Sequence, residues 1–308
     1  MCVFSIKNTM EEYKTIVTVV TPTYNREKEI NNLYNSLCMQ TVQDFLWLII
    51  DDGSTDNTEK FVKSLDKDSQ TFQIKYIKKD NGGKHTALNM AFEIVNTELL
   101  FIVDSDDVLT SQAIEIVIND WGKYRDRQLC GISYLRGYPN GSPIGDLFPK
   151  DYLVDSFSTV RINRHIEGDK AEVWATRFLK GFRFPVFPDE KFIGENYIWI
   201  QVSKLANMLF RNKVIYQTQY LEGGLTKLGR PLRIKCPHGG MASSLVVMAS
   251  EFNFKDRVKN GILYACYSFF AKISWREKYN MPYKGLLTLC MPFGFCLYLY
   301  WKNKYRHS

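Results

Sequence analysis

Apolar positions in the first third of the chain come in short unbroken runs, each followed by a polar turn and then a helical spacing. Ile16-Val17-Thr18-Val19-Val20-Thr21 is a β-branched run that Pro22 should stop, which predicts a first strand. Thr23-Tyr24-Asn25 make the loop, and Ile30, Leu33, Tyr34 and Leu37 recur at helical spacing across residues 27–40. Phe45-Leu46-Trp47-Leu48-Ile49-Ile50 predicts a second buried strand ending in Asp51-Asp52-Gly53. Ser54 or Thr55 is the expected cap of the following helix, with Asp56 and Glu59 in its first turn. Ile74-Lys75-Tyr76-Ile77 reads as a short third strand, Asn81-Gly82-Gly83 as a turn and residues 84–95 as a helix. Leu99-Leu100-Phe101-Ile102-Val103 is then a strand apolar on both faces, running straight into Asp104-Ser105-Asp106-Asp107. Strand, loop and helix thus alternate four times, which predicts a parallel α/β sheet with right-handed crossovers.

The pattern changes downstream. A helix is expected over residues 111–123 and another strand over 131–134, whereas residues 136–168 are rich in Gly, Pro, Asp and Ser and read as a loop region that closes over a ligand. Ordered structure resumes at Gly168-Asp-Lys-Ala-Glu-Val-Trp174. Residues 251–280 have an amphipathic helical pattern with Phe252, Phe254, Tyr264, Tyr267, Phe269 and Phe270 on its aromatic side. Residues 286–301 are almost wholly apolar, interrupted by Pro292 and Gly294 and flanked by Lys284, Lys302, Lys304 and Arg306. A bilayer span takes about 20 apolar residues, so this stretch is short for one. It reads as a monotopic or re-entrant anchor with Trp301 and tyrosines at the interface and lysines on anionic headgroups, or else as a buried terminal helix. The expected organisation is an α/β domain over 1–240, split into halves at 14–125 and 126–240, and a membrane-associating helical region over 241–308.

Composition narrows the classes. With 308 residues, 45% hydrophobic and 24% charged, the chain is globular and can bury a full core. A net charge of +7 is a mild excess, and no basic-aromatic array points to nucleic acid. Seven scattered cysteines without metal spacing read as reduced thiols, and the first residues lack a long apolar signal core. The expected place is the cytoplasm, peripheral on the inner face of the membrane.

In a parallel sheet the loops after these four strands meet at one edge, where open α/β sheets bind ligands. They bring together Thr21 to Tyr24, Asp52, Asn81 to Lys84 and Asp104 to Asp106. Three carboxylates within four residues repel one another unless something positive sits on them. Oxygen donors without thiol or imidazole suit a hard cation, Mg²⁺ or Mn²⁺, shared with phosphate oxygens; the alternative is an Asp-rich turn that caps the next helix. The three-glycine dinucleotide fingerprint and the Walker A loop are both missing, which argues against a nicotinamide enzyme and a P-loop NTPase.

Thr21-Pro-Thr-Tyr-Asn25, Ile50-Asp-Asp-Gly-Ser-Thr-Asp56, Asn81-Gly-Gly-Lys-His-Thr-Ala-Leu-Asn89 and Val103-Asp-Ser-Asp-Asp107 together resemble the four successive signatures of family 2 inverting glycosyltransferases of the GT-A fold. The resemblance covers about residues 14–125. It implies a Rossmann-like, mostly parallel central sheet flanked by helices, and a nucleotide-sugar site. By that resemblance Pro22, Thr23 and Tyr24 line the nucleotide pocket, and Asp52 contacts the base. Asn81, Gly83, Lys84, Asn89 and Ser105 join the same site, Asp104 lies near the ribose and Asp106 holds Mn²⁺ or Mg²⁺ on the diphosphate. Many relatives carry Arg just before the Asn of the third motif; here that position is Leu88, and Lys84 or His85 is the candidate replacement charge. His85 alone reads more simply as polar surface.

Inversion needs a carboxylate to take the acceptor proton. The family places a Glu-Asp pair at a helix start, and this chain has Glu195-Asn196. Glu195 is the expected base, with Asp189 and Glu190 as weaker alternatives. Tyr220-Leu-Glu-Gly-Gly-Leu-Thr226 and Cys236-Pro-His-Gly-Gly240 are candidate diphosphate or acceptor segments. His238 reads as a turn histidine before a metal ligand, and Trp121, Trp174 and Trp199 as core before sugar-stacking faces. The expected reaction is transfer from a UDP-sugar donor to a hydroxyl of a lipid-linked glycan acceptor, as in capsular or other cell-surface polysaccharide synthesis. Two rivals remain: a sugar nucleotidyltransferase, whose early Gly-x-Gly-Thr-Arg loop is missing, and a non-catalytic nucleotide-sugar-binding subunit, which Asn196 favours.

Overall fold

The computed structural model describes residues 15–68, 72–124, 127–218 and 225–306. Strands β1 (Val17–Thr23), β2 (Phe45–Asp51), β3 (Gln73–Lys78) and β4 (Leu99–Ile102) alternate with helices α1 (Glu29–Cys38), α2 (Thr58–Asp68) and α3 (Lys84–Ile94). The four strands are mutually parallel in the order β3-β2-β1-β4. Their residues alternate between two cores: Val17, Val19, Trp47, Ile49, Leu99 and Phe101 pack on one face, Val20, Leu48, Ile50, Leu100 and Ile102 on the other. An unbroken apolar run is what such a two-sided strand requires. Each large side chain buried this way contributes about 1.5–3 kcal/mol.

Two local expectations change. Pro22 lies within β1 rather than ending it, because β4 pairs only as far as Val20 and no ladder bond on that side needs the missing N–H. Asp56, not Ser54 or Thr55, caps α2: its Oδ1 accepts from Thr58 N at 3.0 Å and Thr58 Oγ1 at 2.5 Å.

Beyond β4 come β5 (Val108–Leu109), α4 (Ala113–Tyr124), β6 (Gly131–Gly137), β7 (Leu153–Asp155), β8 (Lys170–Ala175), α5 (Thr176–Leu179), α6 (Asn196–Val202) and β9 (Met208–Gln217). β8 joins β4 antiparallel, and the sheet continues β8-β6-β9-β5 with β7 also on β9. The region 136–168 is therefore no open loop. It holds β7 and a turn of π-helix over Ser158–Asn163, and it buries Phe148, Phe157 and Val160. Its strand is three residues long and pairs with a segment more than fifty residues away, so local periodicity carries no sign of it.

Helices α7 (Leu225–Lys235), α8 (Pro237–Val247), α9 (Phe254–Phe270), α10 (Trp275–Tyr279) and α11 (Lys284–Lys304) close the chain. Met241, Met248, Tyr264, Cys266, Leu287, Met291 and Trp301 form a third core there. The expected boundary at residue 240 falls inside α8, which packs on both α6 and α9. Helix α11 runs unbroken through Pro292, and Gly294 is where it meets α9, since a Cβ there would collide with Ala265. The re-entrant form is thereby corrected to one continuous helix. Among the described residues no helix is long and apolar enough to cross a membrane. The six described cysteines are free thiols.

Candidate functional site

A cleft of about 650 Å³ opens at the carboxyl ends of β1, β2 and β4. Pro22, Thr23, Tyr24, Asp52, Asn81, Gly83, Lys84, Asp104, Ser105, Asp106 and Glu195 all line it. Asn89 does not: its amide is spent on Phe184, accepting from the backbone N at 2.8 Å and donating to the carbonyl at 2.9 Å. It is a tie between α3 and the segment before α6, which corrects its place in the nucleotide site.

The turn after β3 is built on Asp52. Its Oδ1 accepts from Gly82 N at 2.9 Å and Lys79 Nζ at 2.6 Å, and its Oδ2 accepts from Gly83 N at 2.7 Å. Asp51 does the same for its own loop, accepting from Ser54 N and Tyr76 Oη at 2.7 and 2.5 Å. Gly83 has φ +93°, and any Cβ would run into the Lys191 carbonyl. Only glycine lets the start of α3 lie against the 191–194 segment. That approach delivers Lys84 to a point 2.5 Å from Asp104 Oδ1 and 2.6 Å from Glu195 Oε1. One cation thus joins the loop after β4 to the carboxylate at the start of α6.

The loop after β4 is fixed from behind. Tyr216 of β9 donates from Oη to Asp107 Oδ2 at 2.7 Å and accepts from Asp104 N at 2.9 Å. Arg136 of β6 stacks 4.1 Å over the Tyr216 ring and points Nη1 at Asp107 Oδ2 (3.3 Å) and Asp104 Oδ2 (3.5 Å). Burial resists ionisation of Asp104, but Lys84 and Arg136 outweigh it and hold its carboxyl low, at about 2. Asp107 goes the other way, raised by burial and by the charge on Asp104. Asp106 is also raised, by burial and then by Asp104, and its cation, Arg26, stands off at 3.9 Å.

Asp106 is the carboxylate with lone pairs to spare and a surplus of negative field around it. Oxygen donors of this kind fit Mg²⁺ or Mn²⁺. Among the described residues no cluster of three His, Cys, Asp or Glu forms a protein-only metal cage. The ion would therefore complete its shell on a ligand's oxygens. Thr23 Oγ1, both ring nitrogens of His85, Arg161 Nε and Thr218 Oγ1 belong to residues that line the same cleft, and each is buried without a hydrogen-bond partner among the described residues.

Several expectations resolve against the geometry. His85 is buried, edge-on to Phe184, not polar surface. Leu88 is packed in the core beside the cleft, and Lys84 supplies the charge at this corner. Glu190 is committed to the start of α8, accepting from His238 N and Gly239 N at 2.9 Å each and pairing with His238 Nδ1 at 2.6 Å. That removes Glu190 as a rival base and gives His238 its partner. Asp189 is exposed and lies outside the cleft lining. Trp121 and Trp174 are core, whereas Trp199 stacks on Trp174 at 4.5 Å and reaches the cleft. Tyr220 to Gly224 lie outside the described residues. Arg136 and Tyr216, which brace the loop after β4, are the site-positioning residues that local reading passes over. The lone hint is a charged or hydroxylated side chain near the carboxyl end of a strand.

The family model for glycosyl transferase family 2 matches residues 18–179. The hyaluronan synthase of Pasteurella multocida is 26% identical over 269 residues, covering 86% of this chain and 25% of that protein. The poly(ribitol-phosphate) β-N-acetylglucosaminyltransferase TarP of Staphylococcus aureus is 31% identical over 115 residues, 37% of this chain and 35% of that one. The chain thus spans a quarter to a third of the length of these curated relatives. In fold it is similar to the crystal structure of S. aureus TarS 1–349 in complex with UDP-GlcNAc, with a TM-score of 0.64 at 18% identity over 94% of this chain and 91% of that one.

Proposed function

The chain belongs to glycosyl transferase family 2, and from that premise we propose that it moves a hexose or N-acetylhexosamine from a UDP-sugar to a hydroxyl of a glycan acceptor, with inversion at the anomeric carbon. The observation that carries this reading is the Lys84 bridge, which sets a carboxylate, Glu195, directly across from the Asp104 loop. A relative named as an N-acetylglucosaminyltransferase and a fold neighbour solved with UDP-GlcNAc support the choice of donor. Polymer synthases among the relatives support a growing glycan as acceptor, and a lipid-linked one fits a cell-surface polymer.

The donor's nucleotide lies over Pro22, Thr23 and Tyr24, with Asp52 and Asn81 at the base and Asp104 near the ribose. Asp106 would hold Mg²⁺ or Mn²⁺, which supplies positive charge to the diphosphate as it leaves. Lys84 adds a second positive charge on the same side. Glu195 takes the proton from the acceptor hydroxyl while the hydroxyl oxygen forms the new bond to the anomeric carbon. The bond from that carbon to the phosphate oxygen breaks, and the electron pair leaves with the nucleoside diphosphate. Asn196 holds the position next to the base, where an amide donates or accepts a hydrogen bond but carries no proton away.

The test is turnover of a nucleotide-sugar panel with oligosaccharide acceptors, with the product anomer read by NMR. The expected result is UDP release from one UDP-sugar and a β-linked product from an α-linked donor. An α-linked product would remove Glu195 as an inverting base. A chain that binds UDP-sugar but turns none over with any acceptor would be a binding subunit.

A further inference from the structure

The two long sides of α11 differ in kind. On one side Leu287, Cys290, Met291, Gly294 and Trp301 are buried, and the helix packs on α9. On the other, Leu289, Phe293 and Tyr300 are 72%, 64% and 57% exposed, joined by Cys296 and Leu299. Positions 289, 293, 296 and 300 step by four, three and four, so they form a single stripe along the helix. No charged residue interrupts the sequence between Lys284 and Lys302. The patch also extends sideways. Phe295 meets Phe269 edge-on at 5.1 Å, and Phe269 meets Trp275 of α10 edge-on at 5.8 Å. Lys278 Nζ rests over these last two rings, at 3.6 and 4.6 Å.

A contiguous apolar surface of this sort marks a contact face, and the surrounding charge says what it contacts. From residue 284 to residue 306 there are four cations, Lys284, Lys302, Lys304 and Arg306, all exposed, and no Asp or Glu, while α10 carries Arg276 beside Glu277 and buries Lys278. The four stand at both ends of the stripe, not along it. Acyl chains can take the stripe while anionic headgroups take its basic ends. The buried side is fixed on α9, so the helix would lie in the plane of the interface instead of crossing it.

We propose that α10 and α11 dock the protein on an anionic lipid bilayer, with Leu289, Phe293, Leu299 and Tyr300 inserted and Trp275 at the headgroup level. None of these residues lines the cleft, so the proposal stands apart from the reading of the donor site.

Trp275 provides the probe, because the other five tryptophans are buried. The full chain is mixed with phosphatidylglycerol–phosphatidylcholine vesicles or with phosphatidylcholine alone, and binding is read by co-sedimentation and by tryptophan emission. The expected result is preferential binding to the anionic vesicles with a blue shift that Trp275→Phe abolishes. Leu289→Asp with Phe293→Asp should weaken partitioning by about 100-fold, roughly tenfold for each lost side chain. Both sites are exposed, so Tm should hold. Lys302→Gln with Lys304→Gln should erase the preference for anionic lipid. Wild-type protein that binds no vesicles, or binding that survives Leu289→Asp/Phe293→Asp, overturns the proposal. A lipid-free dimer that this double variant disperses, with no vesicle binding, would make the stripe an interface between copies instead.

Discussion

The two walls of the cleft are built by different means. On the wall formed by the parallel strands, Asp52, Asp104 and Asp107 are each held by two or more donors, while the cation beside Asp106, Arg26, stands 3.9 Å away. Two backbone amides and Lys79 hold Asp52, while Arg136 and Tyr216 brace Asp104 and Asp107 from the strands behind them. The opposite wall, over residues 191–196, presents Glu195, whose cation among the described residues is Lys84. That same lysine belongs to Asp104. One wall is therefore preorganised, and the other takes its position from it. Charge developing on a departing diphosphate is best met by groups that do not move, whereas a base must adjust to the acceptor it deprotonates.

The largest effect expected is on the first wall. Asp106→Asn should lower transfer by roughly 10²–10³-fold or more, the scale of losing a preorganised charge contact, with Tm unchanged because its ion pair is long. Steady-state UDP release and a thermal melt check both halves. Glu195→Gln should cost about 10²–10⁴-fold in kcat, the range for a general base, and leave donor affinity intact in a calorimetric titration. If the two variants lose donor binding equally, the division of labour between the walls fails. Tyr216→Phe removes one hydroxyl and two hydrogen bonds from the bracing, at about 1–3 kcal/mol. Its expected signature is a weaker donor Kd and a lower Tm with kcat nearly kept.

The smallest effect concerns Glu172, which lines the cleft between the walls and whose carboxyl is raised to about 7 by burial, opposed by Arg161 and Arg136. A group raised in the folded state binds its proton more tightly there than in the unfolded chain. Its stabilisation is complete below the unfolded value near 4.5 and is lost as pH rises through about 7. Glu172→Gln should therefore flatten the fall of Tm between those two pH values. An unchanged slope would mean that Glu172 titrates normally.

Legibility follows the same division. Val17 to Val20, Trp47 to Ile50 and Leu99 to Ile102 announce themselves because a strand buried on both faces must be apolar throughout, and their carboxyl-end residues inherit the site from topology. Helix α11 is readable as apolar, but not which of its sides is covered, since that depends on where Gly294 lets α9 approach. The bracing by Arg136 and Tyr216 comes from residues 32 and 112 positions away from Asp104, so no local pattern encodes it. His85 escapes local reading for a related reason. A histidine next to a turn looks solvated until Phe184 is brought over it by the Asn89 tie.

The proposed reaction requires the wall carrying Asp106 to bind a nucleotide sugar through a divalent cation. Calorimetric titration of UDP-GlcNAc and other UDP-sugars into wild type and Asp106→Asn, with Mn²⁺ and then with chelator, tests it most directly. The predicted result is binding of one UDP-sugar that needs the cation and vanishes in the variant. Binding that is equally tight in chelator, or that Asp106→Asn leaves unchanged, would contradict it.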